Sequence, residues 1–117
     1  MRKRLTVKSY YSKLSKVDKE KLAEIEKLAI ELMNKHGVGH FKFKYGRSRT
    51  YAGNCSSSSQ TIRLSIRFVL KNDIERIKNT ILHEIAHATV GAEHGHRKVW
   101  QDKAKELGVT WTKNYRK

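Results

Sequence analysis

The run "ILHEIAHA" places His83, Glu84 and His87 within five positions. On an α-helix, residues four apart are separated by a little over one turn, so both imidazoles leave the same side and can reach one cation. Imidazole nitrogen is a preferred donor for zinc. Glu84 falls just off that line, where a carboxylate takes a proton from a water beside the ion rather than binding the ion itself. The chemistry this spacing suits is metal-assisted hydrolysis. Four of the chain's six histidines fall in this region, because His94 and His96 follow closely.

A zinc ion that does chemistry takes three protein ligands and keeps one position open. Four residues are candidates for the third: Glu93, His94, His96 and Cys55. The metzincin spacing asks for glycine three residues after the second histidine and for histidine three further on. Those positions hold Val90 and Glu93, so that pattern is not met. His96 has a geometric argument in its favour. "HRKVWQDKAKELG" carries His96, Trp100, Ala104 and Leu107 at steps of four, four and three, which is one helical face. The apolar members must point inward, and His96 is carried inward with them. His94 precedes that helix in a glycine-containing loop and has no such constraint; it either assists near the site or faces solvent.

The elements that must hold these residues are legible from periodicity. The helix bearing the motif starts near Asn72, where "NDIE" supplies a capping residue with a glutamate three positions on. Its apolar stripe is Ile74, Ile77, Ile81, Ile85 and Ala88. An earlier helix is expected from about Asp18 to Lys35, with Leu22, Ile25, Ala29 and Leu32 on one side and Gly37 as its stop. Period two governs "HFKFKY" and "TIRLSIRF": Phe41, Phe43, Tyr45, Ile62, Leu64, Ile66 and Phe68 alternate with Lys42, Lys44, Arg63, Ser65 and Arg67. "SRTYAGNC" is expected as a strand between them and "SSSSQ" as a polar turn. The expectation is an α+β fold: a small, mostly antiparallel sheet packed with about three helices, the histidine motif on the second.

At 117 residues the chain is long enough for one domain with its own core. One cysteine excludes an internal disulfide and a four-cysteine zinc ribbon within the chain. The first residues are basic but lack the apolar run of a secretory leader, and no stretch is apolar enough to span a membrane. A soluble, cytoplasmic monomer with no membrane partner is therefore expected. Twenty-six Lys and Arg against eleven Asp and Glu leave a net charge of +15. Such an excess favours a polyanionic partner, nucleic acid first, and a ribosomal-type or simply very soluble protein would carry it too; phosphate contacts position a protein without selecting sequence. Residues 1–16, with Arg2, Lys3, Arg4, Lys8, Lys13 and Lys16 and no acid, read as a basic arm or a first strand. The tail 109–117 sets Trp111 and Tyr115 among Lys113, Arg116 and Lys117, which suits stacking on unpaired bases as well as it suits simple packing.

Taken together, "TILHEIAHATVG", "HGHRKVW" and "AKELG", preceded by "YAGNC" and "TIRLSIRFV", resemble the SprT-like zinc metalloprotease family, over roughly Tyr45 to Gly108. The family joins HExxH to a later histidine with an aromatic residue four positions on, here His96 and Trp100. The resemblance implies a zincin-like metalloprotease domain over 17–108. It implies a Zn2+ ion held by His83, His87 and His96, with Glu84 as the catalytic acid/base. It further implies a protein substrate bound or crosslinked to DNA. The chain departs from many relatives in having no proline after the third histidine. Tyr45, Arg47, Tyr51 and His94 are the candidates for stabilising an oxyanion. The alternative is a nucleic-acid-binding module whose zinc site is structural or inactive.

Overall fold

The computed structural model describes residues 7–91 and 98–109. Residues 1–6 of the expected basic arm, and Trp111 and Tyr115 of the tail, lie outside the described residues. The described elements are α1 (Val7–Ser12), α2 (Lys16–Lys35), β1 (Lys42–Gly46), β2 (Gly53–Ser56), β3 (Thr61–Ser65), α3 (Ile66–Lys71), α4 (Ile74–Val90) and α5 (Lys98–Leu107). The fold is α+β, as expected. The motif helix is the fourth described helix rather than the second. The unexpected α1 and α3 are six residues each, too short for a 3.6-residue period to declare itself.

α2 buries the stripe read from the sequence, Leu22, Ile25, Ala29 and Leu32, and adds Met33. Ser15 caps its start by accepting from the Asp18 amide at 3.1 Å. The end is a Schellman turn. Gly37 takes a positive φ of 82°, its amide donates to the Asn34 carbonyl, and the Val38 amide donates to the Met33 carbonyl at 2.9 Å. The turn drops Val38 into the core, 4% exposed. Each fully buried aliphatic side chain on this face contributes roughly 1.5–3 kcal/mol of apolar transfer.

The sheet corrects two expectations. Its order is β1-β3-β2, so among the described strands β2, the middle one in sequence, lies outermost beside β3. β3 pairs antiparallel with β2 but parallel with β1, making a mixed sheet. The registers Phe43↔Ile62, Tyr45↔Leu64, Cys55↔Ile62 and Gly53↔Leu64 put these residues on one face. α2 covers that face over β1, and α4 covers it over β2 and β3. Lys42 and Lys44 are exposed on the other face and Arg63 is half-buried there, in keeping with the basic open face read from the alternation.

The strand expected to continue to Phe68 ends at Ser65. The Ser65 hydroxyl accepts from the Phe68 amide at 3.3 Å and donates to the Ser48 carbonyl at 2.6 Å. One side chain thus starts α3 and ties the β1–β2 loop to it. Ile66 and Val69 then enter the core at helical spacing. No helix among the described residues is long and apolar enough to cross a membrane.

Candidate metal centre

α4 starts where Asp73 caps it, its carboxylate accepting from the Arg76 amide at 3.0 Å. The first turns are amphipathic: Ile74 is 56% exposed, outside the stripe expected of it, while Ile77 is fully buried. From Thr80 to His87 every residue is buried. That half of the helix is enclosed by β2 and β3 on one side and α5 on the other, so polar side chains there are dehydrated along with the isoleucines.

His83 and Glu84 are each 0% exposed and His87 is 5% exposed. Their ligand atoms, a nitrogen from each ring and a carboxylate oxygen, all lie within 4.8 Å of one another. The ring centroids of His83 and His87 are 5.0 Å apart. His83 Nε2 and Glu84 Oε2 are 3.9 Å apart, beyond hydrogen-bond length. Burying a carboxylate beside two imidazoles costs several kcal/mol unless charge and polarity are compensated. A divalent cation compensates all three groups at once. The donor set, imidazole nitrogen with carboxylate oxygen, is of the kind zinc takes. The residues fit a metal.

Two neighbours shape this group. Trp100 on α5 is fully buried. Its ring stacks on His87 at 5.1 Å and 25° and meets His83 edge-on at 4.6 Å and 62°. Its indole N–H points at the His83 carbonyl oxygen at 3.4 Å. One side chain therefore fixes the planes of both imidazoles. The helical spacing correctly turned Trp100 inward with Ala104, both fully buried, and Leu107 half-buried. Its contact with both histidines was not legible from spacing.

Gly53 is the second neighbour, and sequence reasoning missed it. A Cβ there would stand 2.6 Å from the Arg63 carbonyl oxygen, 3.0 Å from a Leu64 methyl and 3.6 Å from Glu84 Cγ. Only hydrogen fits at this crossing, and its absence of a side chain lets β2 lie directly against Glu84.

Of the four candidates for a third ligand, His96, His94 and Glu93 lie outside the described residues. Cys55 is half-buried on β2, and among the described residues the metal-capable group is His83, Glu84 and His87 without it. Tyr45 leaves the oxyanion candidates: its hydroxyl donates to the Leu22 carbonyl of α2 at 2.7 Å. Burial, and then the charge of Glu26, push its pKa well above the ordinary phenol value. Tyr51 is 49% exposed and Arg47 half-buried, in the loop that leads into β2.

A mixed sheet covered by a helix that buries HExxH, with an aromatic side chain set against both histidines, makes an α+β domain with a His/Glu/His group that could hold a metal ion. The model of the SprT-like family matches residues 20–116, and the chain belongs to that family. Comparison with curated proteins and with solved structures finds no match in either.

Proposed function

We propose that this chain is a zinc-dependent metallopeptidase that hydrolyses proteins bound or crosslinked to DNA, working as a soluble cytoplasmic monomer with a zincin-like arrangement. The observation that carries the reading is the burial of Glu84 between His83 and His87, against β2. His83 and His87 would hold the ion, with His96, just ahead of α5 in sequence, as the third ligand. Zinc at such a site supplies Lewis acidity toward a carbonyl oxygen and makes water more acidic.

The rest belongs to the chain. Glu84 accepts a proton from the attacking water at a carboxylate oxygen and delivers it to the nitrogen of the leaving amine. β2 lies directly against Glu84, so an extended substrate segment running along this strand passes the carboxylate. Trp100 holds the imidazole planes. The net charge of +15 brings the chain to DNA, where its protein substrates are.

The test compares wild type with Glu84→Gln, His96→Ala and His94→Ala by metal analysis and by cleavage of a basic DNA-binding protein supplied with DNA. Glu84→Gln is expected to keep its zinc and to lose about 100-fold or more of the cleavage rate. His96→Ala is expected to lose the zinc and His94→Ala to keep it. Cleavage surviving in Glu84→Gln refutes the enzymatic reading and leaves a nucleic-acid-binding module with a structural or inactive zinc site.

A further inference from the structure

A second feature lies at the other end of α4. A cleft of about 600 Å³ opens between the β1–β2 loop, α3 and the first turn of α4. Arg49, Arg67, Lys71 and Arg76 line it, with Tyr51 and Ser48, and among the described residues no acidic side chain lines it. The nearest acid in sequence, Asp73, is engaged as the α4 cap, and Glu75 lines a separate cleft beside Lys78 and His36. Four cations brought together from three elements repel one another, and an anion is what relieves that repulsion.

The cleft is also shaped. Ser48 Oγ accepts from the Thr50 and Tyr51 amides at 3.1 and 2.8 Å, and Ser65 ties the Ser48 carbonyl to β3. Arg67 is held at its root by donating from Nε to the Arg47 carbonyl, with its guanidinium 4.9 Å over the Tyr10 ring. Arg49, Lys71 and Arg76 are exposed, and Tyr51 presents about half of its surface to solvent. A fixed loop carrying an exposed aromatic ring among cations offers the two things an unpaired strand presents, phosphates and base faces. A small inorganic anion has nothing to stack on the ring, whereas an unpaired strand uses both features at once.

We propose that this cleft seats the sugar-phosphate backbone of single-stranded nucleic acid on Arg49, Arg67, Lys71 and Arg76, with one base stacked on Tyr51. The site rests on the nucleic-acid part of the reading above and not on its proteolysis. Arg76 and Glu84 are eight residues apart on one helix, which is about 12 Å along the axis. The loop that forms one wall runs directly into β2 beside Glu84. A strand held in the cleft therefore lies close to β2 and Glu84.

The experiment measures binding of labelled homothymidine and homouridine strands by fluorescence anisotropy across a salt series, with the full chain and no protein substrate. Arg49→Glu with Lys71→Glu is compared with Lys42→Glu with Lys44→Glu, the same charge change on the open face of the sheet. The cleft pair is expected to lose about tenfold in affinity or more. Its salt slope is expected to flatten by about 1.4, two phosphate contacts at roughly 0.7 each. The sheet-face pair is expected to change affinity by less than about threefold, its charges being screened from the cleft. Tyr51→Ala is expected to lose about tenfold and Tyr51→Phe to keep wild-type affinity, as stacking without a hydroxyl requires. Arg49→Gln with Lys71→Gln repeats the comparison should charge reversal impair folding. Dependence on the cleft for either sugar supports the proposal, and the tighter strand identifies the natural one. Equal losses in both charge pairs, absence of binding, or a Tyr51→Ala variant that binds as wild type overturn it. Cleavage by the same variants is read separately, so loss of binding and loss of proteolysis are told apart.

Discussion

Replacing Trp100 by alanine removes an aromatic side chain that touches both motif imidazoles. The ring is fully buried, and truncating such a tryptophan costs about 3–5 kcal/mol, through lost transfer energy and the cavity left behind. The stacked contact with His87 and the edge contact with His83 place the loss toward the upper end. The indole N–H adds little, since 3.4 Å is a long hydrogen bond. A domain of this size is stable by about 5–15 kcal/mol, so Trp100→Ala takes away about a quarter or more. With a urea m-value of about 2 kcal/mol/M, a loss of about 4 kcal/mol lowers the unfolding midpoint by roughly 2 M. Trp100→Phe, which keeps a ring in the slot, is expected to lose less than half as much. Stability alone does not test the clamp, so the decisive readout is zinc affinity by chelator competition, under conditions where each variant is folded. Support lost behind liganding histidines weakens metal binding by about 10–100-fold. Trp100→Ala is expected in that range, with Trp100→Phe between it and wild type. A folded Trp100→Ala protein that holds zinc as tightly as wild type refutes the clamp.

Two further outcomes follow from the same geometry. Gly53→Ala places a methyl group 2.6 Å from the Arg63 carbonyl oxygen. It is expected to cost about 1–3 kcal/mol by denaturant unfolding and, by shifting β2 off α4, to lower cleavage more than zinc content. Tyr45→Phe removes a hydroxyl donated to the Leu22 carbonyl at 2.7 Å and is expected to cost about 0.5–1.5 kcal/mol near neutral pH. Its pH dependence has a defined sign. Burial raises the folded-state pKa of Tyr45 above the ordinary 10.0, so the unfolded chain releases this proton first. The associated stability is complete below pH 10 and declines as pH rises beyond it. Unfolding measured from neutral to strongly alkaline pH should therefore fall less steeply in Tyr45→Phe than in wild type.

The strong local patterns were readable in advance. α2 repeats its apolar residues over about three turns and is followed by a glycine in a left-handed turn, so its stripe and its stop follow from the chain order. The histidine motif is equally local. Once 74–90 is a helix, His83 and His87 must share a side, and the apolar residues around them demand burial. Even Trp100 was turned inward by its four-residue steps to Ala104 and His96. Periodicity failed where segments are short or where the partner is distant in sequence. "SIRFVLK" alternates well enough for a strand, yet Ile66 and Val69 satisfy a helix too, and the Ser65 hydroxyl tips the choice. An alternating strand carries no mark of the direction of its neighbour. The parallel pairing of β1 with β3, and the placing of β2 outermost beside β3, come from how the helices cover the sheet. The same holds for Gly53 against Glu84, for the stacking of Trp100 on two imidazoles, and for four cations gathered from a loop and two helices. Each depends on the distance between elements, and distance is set by packing across the whole core rather than by any local run of residues.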